Sequence, residues 1–309
     1  MIGPDAEVEA GLAVCEQIAA RNNSTLYHAT RQLSEARRNF FAATYAPMRL
    51  IDDRVDEDFM LMEEVERDAA RADYLQEIED WRRVMAEGQG LSSMPVEVVT
   101  AVNAVVRPTN LASSPWNELA KALSSDVREE AMQDWPDFEA YAEGATVAPA
   151  TIFIFLLAAD ELPDGRLQYN NPKSPDWYAR DLAIFCYLVH ILRDLAKDAE
   201  GTERLLTIPG EVFEQAGVAR SAISDVIDDP SAIDRLSKPI LVRAEAHFEV
   251  GMSRLGDLLL GMGDVERAAL SGLIDVYRGL YLEFMDQYGS RVRDLEGLEA
   301  DLRTQNLDK

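Results

Sequence analysis

The amino-acid sequence predicts an all-α protein, and three observations support this. Apolar residues recur at steps of three and four along most of the chain, which is the spacing of one face of a helix. Long alternation of apolar and polar residues, typical of a half-buried strand, is scarce. Pairs that favour hairpin turns are almost absent, and the single Asp164-Gly165 pair lies in a polar segment. We therefore expect roughly ten helices around an apolar interior.

The predicted helices are separated by short loops. Two apolar faces with helical spacing are Val8, Leu12, Cys15, Ile18 and Ala19, and then Phe40, Phe41, Thr44, Tyr45, Met48, Ile51 and Val55. Ser34 and Asp137 are predicted N-caps, and Arg37 at the third helical position gives Ser34 no capping box. The predicted breaks are residues 87–95, 107–115 and 162–175. None resembles a domain linker, so we expect a single all-α domain over residues 1–309, with its core at about residues 20–292.

The composition is that of a globular protein with a strongly acidic surface. Of the 309 residues, 47% are apolar and 28% are charged, and the formal net charge is −26. A surface this negative repels nucleic acid and anionic lipid, so we expect no nucleic-acid partner. If the substrate is itself an anion, a positive group must be supplied locally, and a metal ion is the obvious source.

Signals for secretion and membrane insertion are weak. The first residues are acidic and lack the apolar core of a secretory signal. The longest largely apolar run, residues 145–159, is shorter than the ~20 residues that span a bilayer, and it contains Pro149. Cys15 and Cys186 are too few for a disulfide framework or a cysteine-rich zinc site. We expect a cytoplasmic protein without a transmembrane segment.

The first acidic segment, residues 49–58, places two carboxylates on one face of a helix. Asp52 and Asp56 are four residues apart, so their side chains are neighbours. Like charges at this spacing destabilise an isolated helix, and something must compensate for their repulsion. Taken alone, the segment is also consistent with a solvated acidic face supported by Arg49 and Arg54.

A second acidic segment favours a bound metal. Asp194 and Asp198 are again four residues apart, and His190 lies one turn earlier on the same face. The preceding residues 181–189 are apolar almost all round, which is typical of a buried helix. A carboxylate pair that leaves a buried helix is costly unless it is paired or bound to a metal.

The two carboxylate pairs are expected to face each other across a cavity. Carboxylate oxygens suit Mg²⁺, which is typically bound by one or two carboxylates together with substrate phosphates. Arg49 precedes Asp52 by three residues, and Arg193 directly precedes Asp194, so both guanidinium groups can contact phosphate oxygens. The pattern predicts a metal-bridged diphosphate between two acidic helices, and ionisation of an allylic diphosphate as the chemistry.

These segments carry a resemblance to a known family. Residues 45–56 and 191–198 resemble the first and second aspartate motifs of the squalene/phytoene synthase family, in the same order and at a similar separation. That family consists of head-to-head prenyltransferases with the isoprenoid synthase fold. The resemblance extends from about residue 20 to about residue 300.

The resemblance implies roles for individual residues. The implied catalytic residues are Asp52, Asp56, Asp194, Asp198 and Tyr45. The implied metal ligands are Asp52, Asp53, Asp56, Asp194, Asp198 and His190, with Mg²⁺ expected and Mn²⁺ as the alternative. The implied substrate-binding residues are Arg49, Asn22, Asn23, Ser24, Arg193, His190, Arg204, Tyr288 and Arg291.

The resemblance also implies the reaction. Two allylic diphosphates, farnesyl or geranylgeranyl, would bind in a central helical cavity, with residues 145–159, including Phe153 and Phe155, as a wall or as ordinary core. One substrate ionises, and the double bond of the other attacks the cation to give a cyclopropylcarbinyl diphosphate. A second ionisation leads to squalene-type or phytoene-type products. The squalene-type outcome uses NADPH, which would bind without a Rossmann fingerprint.

Four departures from the family pattern concern the site. His190 stands where the family has Asn, and it is expected to bind a metal, donate a hydrogen bond to diphosphate or pack in the core. The segment Arg204-Leu205-Leu206 lacks the usual Tyr, and residues 141–149 match a family segment loosely. Pro47 removes a backbone hydrogen bond and is predicted to kink the first acidic helix.

Two other functions are consistent with the sequence. A terpene-synthase-like lyase would ionise a single prenyl diphosphate and quench the cation internally or with water. An inactive family member would act in assembly or as a lipid carrier, but retention of all four key aspartates argues against it. For the enzymes, the expected partners are prenyl diphosphates, with transient membrane association for product release.

Overall fold

The described part of the chain is built almost entirely from helices, as the sequence predicts. The structure is a computed structural model that describes residues 4–201, 207–222 and 229–288. The first helices are α1 (Pro4–Asn22), α2 (Thr25–Thr30), α3 (Glu35–Asp53), α4 (Glu64–Arg82), α5 (Val96–Ala101) and α6 (Ser114–Arg128). The later helices are α7 (Trp135–Ala142), α8 (Ala148–Ala158), α9 (Pro175–Gly201), α10 (Gly210–Ala216), α11 (Pro230–Gly261) and α12 (Asp264–Tyr288). Wider π-helical turns are Arg54–Phe59, Arg83–Glu87, Val102–Val106 and Glu143–Val147, and a 3₁₀ turn is Arg220–Ala222.

A small hairpin follows α8. Strand β1 (Asp160–Glu161) pairs antiparallel with strand β2 (Leu167–Gln168). The predicted break at residues 162–175 thus separates α8 from α9 and contains the two-residue strand β2. The turn is made by the Asp164-Gly165 pair, in which Gly165 adopts a φ of 80° that other residues rarely adopt.

The chain folds into two compact units, each assembled from separated segments. The first unit comprises Met1–Glu130, Glu143–Trp177 and Asp257–Leu273. The second unit comprises Ala131–Ala142, Tyr178–Gly256 and Ile274–Lys309. The prediction of a single domain over residues 1–309 stays a prediction.

In the first unit, α3 packs against α1 and α8. The rings of Phe40 and Phe155 stack with their centroids 5.3 Å apart. The buried guanidinium of Arg37 donates hydrogen bonds to the carbonyls of Leu156 and Ala159, the second at 2.7 Å. Because the beginning of α3 thus meets the end of α8, the two helices run antiparallel. Arg37 also pairs with Glu266 of α12 at 3.1 Å, which offsets its burial.

The two predicted N-caps have different outcomes. Ser34 caps α3, since its hydroxyl accepts a hydrogen bond from the amide of Arg37 at 3.3 Å. Asp137 is not an N-cap, because α7 begins before it. Asp134 instead accepts the amide of Asp137 at 3.0 Å, while the Asp137 carboxylate accepts the amide of Gln133 at 2.9 Å. Asp134, three residues before Asp137, thus accepts an amide of the first turn of α7, and the prediction of Asp137 as the N-cap is wrong.

Gly144→Ala is expected to destabilise the protein by about 1–3 kcal/mol through overpacking. Gly144 lies in the π-helical turn that packs against α6. A Cβ there would meet the carbonyl oxygen of Glu118 at 2.2 Å and the Cβ of Ala122 at 2.6 Å. Urea denaturation checks this expectation, with the exposed Gly272→Ala as a matched control, because no atom lies within 4 Å of a Cβ at that position. Equal denaturation midpoints for the two variants would contradict it.

In the second unit, α9 is the central helix of a buried aromatic and ionic core. Phe185 of α9 contacts the rings of Phe248 in α11 and Tyr281 in α12, at centroid distances of 4.9 and 5.7 Å. Asp181, also of α9, is completely buried. Its carboxylate lies 2.8 Å from Nδ1 of His247 and 2.5 Å from a guanidinium nitrogen of Arg254, both on α11.

The described helices include one candidate for a membrane-spanning segment. One stretch, Trp135–Ala158, is long and apolar enough to cross a membrane by length and composition, with a mean hydropathy of 1.5. Of its most apolar part, 61% is buried inside the protein, and core helices of soluble proteins pass the same criterion. The absence of a transmembrane segment stays a prediction. Cys15 and Cys186 are both free thiols.

Candidate active site

The first aspartate motif lies at the end of α3 and in the π-helical turn that follows it. Helix α3 continues as one element through Pro47, whose carbonyl accepts a hydrogen bond from Trp81 Nε1 at 2.9 Å. Asp52 belongs to α3, and Asp56 belongs to the turn Arg54–Phe59. Such turns are rare and are frequent at functional sites.

One face of α3 lines a cavity in the first unit. Six residues at helical spacing form this face, and they are Phe41, Thr44, Tyr45, Met48, Arg49 and Asp52. The remaining lining residues are Leu26, Leu119, Ala145, Pro149, Ile152, Phe153 and Leu156. The cavity has a volume of about 180 Å³, and its polar groups are concentrated at Tyr45, Arg49 and Asp52.

The apolar run 145–159 forms one wall of this cavity, as one of its two interpretations proposed. Phe153 lines the cavity, and it is almost completely buried. Phe155 belongs to the ordinary core, because its ring stacks between those of Phe40 and Tyr169. Helix α8 is apolar all round for this reason: one side faces the cavity, and the other sides face packed helices.

Ser24 and Tyr45 meet next to the cavity. The Ser24 hydroxyl caps α2 by accepting the amide of Tyr27 at 3.2 Å, and it also hydrogen-bonds with the Tyr45 side chain. Burial raises the pKa of Tyr45, so its hydroxyl stays protonated at neutral pH and can donate. Tyr45 also stacks on Phe41, with ring centroids 5.1 Å apart.

Asn22 and Asn23, the other residues expected near Ser24, end α1 and begin the next turn. Asn22 is the last residue of α1 and is half-buried. Asn23 has a φ of 48°, which Asn tolerates better than most residues, and its side-chain oxygen lies 2.8 Å from Nε2 of His28. Among these three residues, the structure links Ser24 to Tyr45.

Arg49 compensates for the repulsion within the first motif. Its guanidinium lies 3.2 Å from Asp52 and 3.0 Å from Glu57, and it also pairs with Asp53. The Nε of Arg49 is buried and has no hydrogen-bond acceptor among the residues that the structure describes. At the cavity mouth, the Arg49 guanidinium is therefore shared by three carboxylates. Its Nε is still available to donate a hydrogen bond.

The charge on Asp52 remains costly despite Arg49. Burial, and then the negative charge of Asp56, raise the pKa of Asp52 from 3.8 to about 7, against the lowering effect of Arg49. The Asp52 side chain is 39% exposed because it lies at the cavity mouth, where one side contacts solvent and the others face protein. A carboxylate pair with this property is suited to bind a divalent cation, which would relieve both effects.

The second aspartate motif lies on α9, in the second unit. Arg193 forms a two-pronged ion pair with the adjacent Asp194, at 2.8 and 2.7 Å. Asp198 is half-buried, one turn further along α9. His190 packs edge-to-face on Tyr277, with ring centroids 5.4 Å apart. Burial, and then the positive charge of Arg193, lower the pKa of His190, which leaves its ring neutral at pH 7 and capable of binding a metal.

Three predicted residues have no described side chain. Arg204 and Arg291 lie outside the described residues, and Tyr288 is the last residue of α12, where the backbone alone is described. The prediction that the two carboxylate pairs face each other across a cavity stays a prediction.

Each aspartate motif offers Mg²⁺ a pair of carboxylates as oxygen donors. No group of three or more His, Cys, Asp or Glu side chains in residues 4–201, 207–222 and 229–288 is arranged to hold a metal ion. A Mg²⁺ ion bound by one or two carboxylates, substrate phosphates and water needs no such group. The raised pKa of Asp52 and the oxygen donors of Asp52 and Asp56 fit a hard cation.

Sequence reasoning missed several residues that shape the cavity. Leu26 of α2 and Leu119 of α6 line it, and Arg37 fixes the end of the wall helix α8. Leu119 lies on the buried face of α6, which its helical spacing could have indicated. The contact of Arg37 with α8 spans more than a hundred residues of sequence, so no local pattern signals it.

The helices form the terpenoid synthase fold, which solved structures share. The structure matches that of a dehydrosqualene synthase with a TM-score of 0.66 and 18% identity, covering 99% of this chain and 100% of the other. It matches squalene synthase HpnC from Alicyclobacillus acidocaldarius at 0.61 and 20% identity, covering 91% and 95%. YisP from Bacillus subtilis matches at 0.61 and 16% identity, covering 92% and 90%.

The family follows from the sequence itself. Residues 19–292 match the family model described as squalene/phytoene synthase. The chain therefore belongs to the squalene/phytoene synthase family, which confirms the resemblance seen in the two aspartate motifs. A search of curated protein sequences finds no significant match.

Proposed function

We propose that this protein is a Mg²⁺-dependent head-to-head prenyl synthase, which joins two allylic diphosphates into a squalene-, presqualene- or phytoene-type product. One observation carries the proposal. A single face of α3 lines an apolar cavity along its length and presents Arg49 and Asp52 at one end of that cavity. A molecule with an apolar chain and an anionic head would place its chain along the apolar part of the cavity and its head at the polar end.

The carboxylates of both motifs would hold the metal ions. Asp52 and Asp56 of the first motif, and Asp194 and Asp198 of the second, offer oxygen donors of the kind that Mg²⁺ prefers. When bound, the metal supplies positive charge that stabilises the departing diphosphate. His190 adds a neutral imidazole beside the second pair, a softer donor that Mn²⁺ accepts more readily than Mg²⁺ does.

Arginine side chains would bind the diphosphate directly. Arg49 is now shared among Asp52, Asp53 and Glu57, and a diphosphate can replace part of that carboxylate set as the acceptor. Its buried Nε would then gain the acceptor that it lacks among the described residues. Arg193 of the second motif offers the same chemistry, with Asp194 as its present acceptor.

The cavity itself would protect and stabilise the cation. Its apolar walls exclude water, which prevents early quenching of a carbocation. The stacked rings of Phe41 and Tyr45, together with Phe153 on the opposite wall, present aromatic groups to the cavity. Aromatic faces stabilise positive charge by about 0.5–2 kcal/mol each.

The product distinguishes the possible activities. Incubation of the protein with farnesyl or geranylgeranyl diphosphate and Mg²⁺ is expected to release diphosphate and give a product with two joined chains, measured by mass spectrometry. Parallel reactions with and without NADPH separate the squalene-type product from the others. A matched reaction with EDTA should release no diphosphate and give no product.

Two other results would contradict the proposal. A product that contains a single chain would identify a terpene-synthase-like lyase. No diphosphate release with Mg²⁺ or Mn²⁺, at either chain length, would favour the inactive family member that acts in assembly or as a lipid carrier.

A further inference from the structure

The cavity along α3 has an open end and a closed end. At the open end the Asp52 side chain is 39% exposed. At the other end Phe41 is 5% exposed and Leu156 is 1% exposed. Because α3 and α8 run antiparallel, Phe41 and Leu156 lie together at the closed end, where they form its floor.

The depth of the cavity follows from helix geometry. Phe41 and Asp52 are eleven residues apart on α3, which corresponds to about 16 Å at a rise of about 1.5 Å per residue. On the opposite wall, the lining residues run from Ala145, in the π-helical turn, to Leu156 near the end of α8. The α3 wall sets a limit of about 16 Å between the mouth and the floor.

We infer that this floor selects a prenyl chain of three isoprene units over one of four; the inference rests on the proposed function. Carbon–carbon bonds of about 1.5 Å give roughly 5 Å for each extended isoprene unit. With its diphosphate at Asp52 and Arg49, a farnesyl chain of roughly 15 Å reaches the floor, and a geranylgeranyl chain of roughly 20 Å exceeds it.

The floor is held rigidly. Arg37 donates hydrogen bonds to the carbonyls of Leu156 and Ala159, which fixes the last turn of α8. Next to the floor residues along the chain, the rings of Phe40 and Phe155 stack on each other and are completely buried in the core. Phe41 is itself supported by stacking on Tyr45. A densely packed core resists displacement of its side chains. Lengthening the cavity would therefore cost free energy.

The experiment compares the binding of two unreactive analogues, the thiolodiphosphates of farnesyl and geranylgeranyl, to the full chain with Mg²⁺ by calorimetry. The wild-type protein is expected to bind the farnesyl analogue about tenfold more tightly or better. Leu156→Ala removes floor atoms without touching the carbonyl that Arg37 binds, and it should bring the two dissociation constants within about threefold. Leu156→Val, a smaller change, should give an intermediate ratio if the Ala variant is unstable.

A matched control separates the floor from general loosening. Phe40→Leu removes a buried ring that stacks on Phe155 and does not line the cavity, so the ratio should stay at its wild-type value. Equal wild-type affinity for the two analogues, or an unchanged ratio in both Leu156 variants, would overturn the inference and leave the proposed function intact. Failure of both analogues to bind would overturn the proposed function, and the inference with it.

Discussion

Asp52→Asn is expected to reduce turnover by about 10³-fold or more while it stabilises the metal-free protein. The carboxylate lies at the mouth of the cavity and pairs with Arg49, where the proposed diphosphate and its metal would bind. Loss of one preorganised group that stabilises developing charge commonly costs 10²–10³-fold, and loss of a metal ligand adds to this. Steady-state diphosphate release at saturating Mg²⁺ measures the first effect.

The stability effect of the same variant has a definite dependence on pH. The folded-state pKa of Asp52, about 7, lies above its value in the unfolded chain, so folding favours the protonated form. Wild-type stability therefore falls as pH rises from about 4 to about 7, and Asn removes this loss. Because the side chain is 39% exposed, solvent screening limits the gain at pH 8 to about 1–2 kcal/mol, measured by urea denaturation in EDTA.

Asp58→Asn is the matched control for Asp52→Asn. Asp58 lies in the same acidic segment, but it pairs with Arg54 and does not line the cavity. Its turnover should stay within about twofold of wild type, because surface ion pairs contribute little. Full activity of Asp52→Asn, or equal losses in both variants, would show that the metal site is wrongly placed.

Local spacing was sufficient to predict most of the fold and one wall of the site. The residues from Phe41 to Asp52 recur at helical steps, and the structure places them on one face that lines a cavity. Ser34 was predicted correctly as a cap because its environment is local. Asp137 was not, because two acidic residues three apart offer the same signal and the chain uses Asp134.

Contacts between distant segments could not be predicted in this way. The pairing of Arg37 with the end of α8, and of Asp181 with His247 on α11, joins residues 66 or more positions apart. A buried ion pair has the same local sequence as a solvated one, and only the packed structure shows which of the two is present. Residues 181–189 were interpreted as apolar almost all round and buried, and tertiary contacts allow the Asp181 carboxylate to be buried among them.

Asp181→Leu is expected to destabilise the protein by about 3–5 kcal/mol, the largest stability effect among these predictions. Burial alone would raise the pKa of Asp181, but the hydrogen bond from His247 and the charges of His247, Arg254 and Arg180 hold it below its ordinary value. The contribution to stability is therefore fully present above about pH 4 and is lost as pH falls through the lowered pKa. Urea denaturation at pH 7 measures the loss.

The size of this loss reflects the partners that remain. Without Asp181, the guanidinium of Arg254, 14% exposed, and the ring of His247, 1% exposed, lose their buried acceptor. The double variant Asp181→Leu/Arg254→Met removes both charges of this ion pair, so its loss of stability should be at least about 1 kcal/mol smaller than the sum of the single losses. Asp275→Asn on the exposed side of α12 should change stability by less than about 0.5 kcal/mol. Additive losses in the double variant would contradict the pairing, because residues that do not interact lose stability independently.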